Sequence, residues 1–239
     1  LQPLYGVEQG AVIGAEALVR KIDEEGNVHA PFEFVHMMEE ENLISVVDYE
    51  MLEQSCRLLK EVGEHWPGFQ LSCNMSRNTL AELDYLDRID DILTRTGVDH
   101  SQLIFEVTES SRGLQLESIE DRLNALKARG IAVAVDDMGT ECSCLEMLYL
   151  PQLDLVKIDR SLISKTGHGP REQAVIGSLI DLCHKLGLGC IAEGIETKEQ
   201  GELLKSLGCD RLQGYYFGRP MPPQEFFARF GPGAQEHQT

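Results

Sequence analysis

Ile131–Gly139, IAVAVDDMG, decides the fold: five apolar, largely β-branched residues run straight into two aspartates and a glycine. A short unbroken apolar run reads as a strand buried on both faces, as in a parallel sheet. The acidic pair then falls where the strand ends, and in parallel α/β proteins ligands bind at the carboxyl ends of strands. Adjacent carboxylates repel and raise one another's pKa unless a cation neutralises them. Asp136 and Asp137 therefore ask for a divalent metal.

Outward from this stretch the same rhythm repeats. Apolar strands are predicted at Phe69–Met75, Leu103–Val107, Leu153–Ile158, Cys190–Ala192 and Arg211–Phe217. Amphipathic helices are predicted between most of them, at Asn78–Thr96, Gln115–Arg129, Arg171–Leu186 and Lys198–Leu207. Gly97, Gly130, Gly187 and Gly208 fall just past these helices, where a left-handed cap favours glycine. A short helix over Cys142–Leu150 is stopped by Pro151. Before this alternation, residues 4–8 and 11–19 read as two strands joined at Gly10, and Pro31–Glu41 and Val46–Val62 as helices. Six alternating strands plus two opening ones suggest a closed eight-stranded βα barrel, with a doubly wound open sheet as the alternative.

The strand ends share a second feature. They finish in Glu16, Asn74, Glu106, Asp136 with Asp137, Lys157 with Asp159, Glu193 with Glu196, and Gln213. In a barrel these would converge on one mouth. Oxygen ligands suit magnesium, manganese or calcium, whereas zinc favours His or Cys, and no histidine stands at these positions. Tandem aspartates can bridge two ions about 3.5–4 Å apart, the arrangement for in-line attack at a phosphoryl centre. Lys157 amid the acids can hold a water and offset developing negative charge. Taken singly, each has a plainer reading. Glu16 could be a solvated carboxylate, Asn74 a turn former, and Asp136–Asp137 or Glu193–Glu196 a helix cap. Their joint occurrence favours the site.

Composition bounds the rest. The 239 residues carry a formal net charge of −19, with 42% hydrophobic and 26% charged residues. This argues against nucleic-acid polymers and anionic membranes as partners of the general surface. An anionic substrate needs metal and local cations to reverse the field at the site. No apolar run reaches the roughly 18 residues of a membrane span. Seven cysteines, without a CxxC, read as reduced core thiols of a cytoplasmic protein. His184 reads as a surface or packing residue of its helix. One domain over 1–239 is expected, with a frayed tail at 232–239. LQPLYGV reads as a strand entered partway, so a longer multidomain protein is expected around it.

The chain resembles the EAL domain, the cyclic di-GMP phosphodiesterase of bacteria. The resemblance rests on QP at Gln2–Pro3, EALVR at Glu16–Arg20, NMS at Asn74–Ser76 and FEVTES at Phe105–Ser110. DDMG at Asp136–Gly139, VKIDRS at Val156–Ser161, IAEGIET at Ile191–Thr197 and QGYYFGRPM at Gln213–Met221 complete it. It implies a modified TIM-type βα barrel with one antiparallel strand near the N-terminus. It also implies hydrolysis of one phosphodiester of cyclic di-GMP to linear pGpG with Mg2+ or Mn2+, inhibition by Ca2+, a homodimer, and regulatory domains elsewhere in the protein. By position, Glu16, Asn74, Glu106 and Asp136 resemble ligands of one metal, and Asp136 and Asp137 the bridge and ligand of a second. Lys157 and Glu193 resemble the pair that orients the attacking water, one of them its base. Leu18, Arg20, Asp159 and Gln213 match substrate-binding positions, with Arg20 on a phosphate, and Glu109 matches the anchor of the loop after the aspartates. That loop usually reads DFGTGYSSL; here it is DMGTECSCL. Met138, Glu141, Cys142 and Cys144 depart from the pattern, and Glu141 replaces a conformationally free glycine. A receptor or interaction module with weak or lost catalysis is the alternative this departure raises.

Overall fold

The structure, a computed structural model, describes residues 1–108, 116–139, 147–164 and 169–234. Eight strands close into a barrel. They are β1 (Gln2–Gly6), β2 (Ala11–Ala17), β5 (Gln70–Asn74), β6 (Leu103–Thr108), β7 (Ala132–Met138), β8 (Leu155–Ile158), β9 (Gly189–Ala192) and β10 (Arg211–Gln213). Around the ring the order is β1-β10-β9-β8-β7-β6-β5-β2, so the closed barrel holds and the open sheet does not. Only β1 runs antiparallel to its neighbours, β2 and β10. A separate two-stranded ribbon, β3 (Lys21–Ile22) with β4 (Val28–His29), follows β2.

Strand periodicity divides the apolar residues into two cores. Leu4, Ile104, Ala134, Leu155 and Ile191 fill the barrel interior. The alternate residues, such as Phe105, Val133, Val156 and Cys190, pack outward against the helices. Residues two apart on a strand share a face. Glu106, Asp136, Lys157 and Glu193 each stand two positions after one of these interior residues. The apolar plug thus becomes the floor of a polar layer at the mouth.

Helix signals read from the sequence recur with altered limits. The single helix expected at Asn78–Thr96 is two, Arg77–Ala81 and Tyr85–Thr96, because Glu82 takes an extended conformation between them. Ser76 caps the first by accepting from the Thr79 amide. Arg211–Phe217 is a strand only to Gln213; the chain then turns, with the Phe217 and Gly218 amides bonding the Gly214 carbonyl. Gly97, Gly130, Gly187 and Gly208 all take positive φ, as expected of caps. Glu109, the loop positions Glu141, Cys142 and Cys144, most of the helix expected at Cys142–Leu150, and the last five residues of the tail lie outside the described residues. No described helix is long and apolar enough to cross a membrane.

Candidate active site

At the carboxyl end of the barrel one buried cation stands among acids delivered by separate strands. Lys157 of β8 is 1% exposed. Its Nζ lies 2.6 Å from Glu106 of β6, 2.7 Å from Glu193 just beyond β9, 3.3 Å from Asp136 of β7 and 3.4 Å from Glu16 of β2. Glu16 is held further by two amides: Gln213 of β10 donates through Nε2 at 2.7 Å and Asn74 of β5 through Nδ2 at 3.2 Å. Seven strands therefore contribute to one cluster, as the strand ends promise in the sequence.

Asp136 and Asp137 differ from expectation in one respect. They lie within β7 and not after it, at a register shift against β8 between Val135 and Met138. Neighbours on a regular strand point to opposite faces. Here Asp137 takes a left-handed conformation at φ 60°, and its amide donates to Asp136 Oδ1 at 2.8 Å. The bulge re-aims the side chains. Carboxylate oxygens of Asp136, Asp137 and Glu193 consequently lie within 4.8 Å of one another.

The charges do not balance. Five carboxylates share one ammonium, in a place where water screens little. Burial and the Glu16 charge push the Glu106 carboxyl well up. Burial, reinforced by the Asp136 and Glu16 charges, lifts Glu193 to about 8 against the pull of Lys157. Burial and the neighbouring Asp136 and Asp159 lift Asp137 to about 6. Burial acts the same way on Glu16, but Lys157 and the two amides outweigh it and hold Glu16 low. Burial would lower Lys157, yet the surrounding acids raise it well above the usual lysine range. Excess buried negative charge on hard oxygens fits a divalent cation.

Other candidates stand apart from this cluster. Arg20 is exposed, three residues beyond β2, and donates to its own neighbour's carbonyl, Val19 O, at 2.8 Å; Leu18 is half-buried beside the strand end. Asp159 caps the short helix Arg160–Ile163 through the Ser161 amide. Glu196 does not join Glu193: it pairs with Arg160 at the surface, 2.6 Å away. Neither glutamate caps the next helix, which Thr197 and Gln200 cap reciprocally. Sequence reading overlooked Asp48, buried in the helix Ile44–Gly63. It accepts from the Ser76 amide at 2.8 Å and the Thr79 hydroxyl at 2.5 Å, fixing the turn that follows Asn74. An acid inside the apolar stripe of that helix was the available signal.

The chain and its fold are similar to those of known proteins. The profile of the EAL domain family covers residues 1–220. The signaling protein YkoW of Bacillus subtilis is 32% identical over 94% of this chain and 28% of its own length. Cyclic di-GMP phosphodiesterase RocR of Pseudomonas aeruginosa is 32% identical over 94% of this chain and 57% of its own. The chain thus spans between about a quarter and three fifths of these curated relatives. The solved MucR phosphodiesterase of the same organism, in complex with c-di-GMP, superposes with a TM-score of 0.86 at 32% identity, over 94% of this chain and 92% of that one. The chain belongs to the EAL domain family.

Proposed function

We propose that this chain is a divalent-cation-dependent phosphodiesterase that opens one phosphodiester of cyclic di-GMP to give linear pGpG. The observation that carries the reading is the convergence of Glu16, Asn74, Glu106, Asp136, Asp137, Lys157 and Glu193 on one mouth. Relatives named as cyclic di-GMP phosphodiesterases support the substrate class. Glu16, Asn74, Glu106 and Asp136 would hold one Mg2+ or Mn2+, and Asp136 and Asp137 a second; Ca2+ would compete for these oxygens and inhibit. When bound, the ions supply Lewis-acid polarisation of the phosphoryl group and neutralise the acids.

The residues have separable tasks. Glu193 and Lys157, 2.7 Å apart, present an acceptor and a donor side by side. In the reaction the water oxygen bonds to phosphorus and the phosphorus bond to the ribose 3′ oxygen breaks. The water's proton passes to Glu193 or through Lys157, and the departing oxygen takes up a proton. Arg20, exposed at the rim, meets a phosphate, with Leu18, Asp159 and Gln213 lining the substrate. On a chain of charge −19 such local cations are needed to admit an anionic ligand.

Incubation with cyclic di-GMP and Mn2+, followed by chromatography for pGpG, tests the assignment. Asp136→Asn is expected to lower turnover by at least about a hundredfold, since one substitution removes a shared ligand. Native-rate hydrolysis by that variant would refute the assignment. The divergent stretch from Met138 supports a second reading, a cyclic di-GMP receptor without catalysis; binding with no product in the same assay would select it.

A further inference from the structure

Far from the mouth, at the amino-terminal ends of β9 and β10, three different ligand types meet. His184 lies in the last turn of the helix Pro170–Lys185, Cys190 is the second residue of β9, and Asp210 immediately precedes β10. His184 Nε2 is 2.9 Å from Asp210 Oδ2, and the same oxygen accepts from the Cys190 amide at 2.7 Å. Ligand atoms of all three residues fall within 4.8 Å of one another. The Cys190 side chain is fully buried and its thiol donates to the Ile180 carbonyl at 4.0 Å. The neighbouring Cys183 and burial push that thiol's pKa up, which a bound metal must overcome. His184 and Asp210 leave 40% and 43% of their side chains open to solvent, which gives an entry path.

We infer that Cys190, His184 and Asp210 form a site for a zinc-class transition metal, separate from the barrel mouth. One thiolate, one imidazole and one carboxylate suit a borderline-soft ion held tetrahedrally, with water at the fourth position. Magnesium and calcium are disfavoured by the sulfur and the ring nitrogen. The existing His184–Asp210 bond already aligns imidazole and carboxylate, and a metal would take the place of the proton between them. Binding also needs the Cys190 proton to leave for solvent, so affinity rises with pH. The ion would tie the end of one helix to two barrel strands, a cross-link acting on stability and independent of the phosphodiesterase reading.

Cobalt(II) is the probe, because a thiolate ligand adds a near-ultraviolet charge-transfer band that an oxygen-only site lacks. The protein, held in excess Mg2+, is titrated with Co2+. One equivalent is expected to produce the band, and Cys190→Ser is expected to abolish it. His184→Ala, altered at the solvent edge where folding is little affected, is expected to weaken cobalt binding at least about tenfold. No band in the unsubstituted protein, a band that survives Cys190→Ser, or an unchanged titration in His184→Ala would each overturn the assignment.

Discussion

Replacing Lys157 by methionine keeps an unbranched side chain, shorter by one atom, and deletes the one positive charge that four carboxylates approach within 3.4 Å. Removing one partner of a buried ion pair costs about 3–5 kcal/mol, because the other is left unpaired. Proton uptake sets a ceiling. A carboxyl with an ordinary value of 4.5 can replace the lost positive charge by taking a proton. At pH 8 that costs roughly 5 kcal/mol, and at pH 5 under about 1 kcal/mol, at about 1.36 kcal/mol per pH unit. The penalty of Lys157→Met is therefore expected to be about 3–5 kcal/mol at pH 8 and to shrink below about 1 kcal/mol at pH 5.

The sign follows from the raised carboxyls. Glu193 at about 8 and Asp137 at about 6 bind protons more tightly folded than unfolded. Their contribution is complete below about 4 and is lost as pH rises through 6 and then 8. Lys157 moderates this loss, so its removal steepens it. Thermal unfolding followed by circular dichroism in EDTA reads the effect. At about 2–4 °C per kcal/mol for a chain of this length, the variant is expected to melt on the order of 10 °C lower at pH 8. A difference under about 3 °C at pH 8, or one that persists undiminished at pH 5, would refute the reasoning.

Two further substitutions probe neighbouring features. Asp137→Asn keeps a residue type that tolerates left-handed backbone but removes one charge from the crowded cluster. After allowance for its partial exposure, a gain on the order of 1 kcal/mol is expected at pH 8 and none at pH 4, read by the same metal-free melts; a loss at pH 8 would show that the charge is not the strained element. Gly14→Ala would put a methyl carbon 2.3 Å from the Gln70 carbonyl oxygen on the paired strand, a contact that backbone must move to relieve. A loss of about 2 kcal/mol or more in urea unfolding is expected, and an unchanged midpoint would mean that β2 and β5 part without cost.

The barrel was legible because its signals are local. Val133 and Val135 among the apolar residues, followed by acid, identify a buried strand without reference to any neighbour, and Gly97 or Gly130 end helices by backbone freedom alone. The acidic mouth was legible for a similar reason: Glu106, Asp136, Lys157 and Glu193 sit two places beyond Ile104, Ala134, Leu155 and Ile191, a spacing that any strand translates into one face. What eluded the sequence depends on chain segments meeting in space. Asp48 bonds a turn 28 residues away. His184 meets Asp210 at a distance of 26 residues, and so reads alone as a packing residue of its helix. Glu193 and Glu196 look equivalent in IAEGIET, yet only the first is carried inward, since the turn at Gly194 sends the second to Arg160.

Asp137 shows why one local rule had to fail for the site to form. A strict two-residue alternation would send Asp136 inward and Asp137 out among the helices, so a tandem pair cannot serve one centre on a regular strand. The bulge at Val135–Met138 resolves this at the cost of placing a non-glycine residue at φ 60°. Such a conformation costs of order 1–3 kcal/mol and persists only where surrounding contacts fix it. Two such contacts are visible: the Asp137 amide donates to Asp136, and the Asp159 amide reaches back to the Met138 carbonyl. Backbone strain and crowded charge thus coincide at one residue. A fold tuned for stability alone would have neither, and the proposed ligand site is the part of the molecule that would use both.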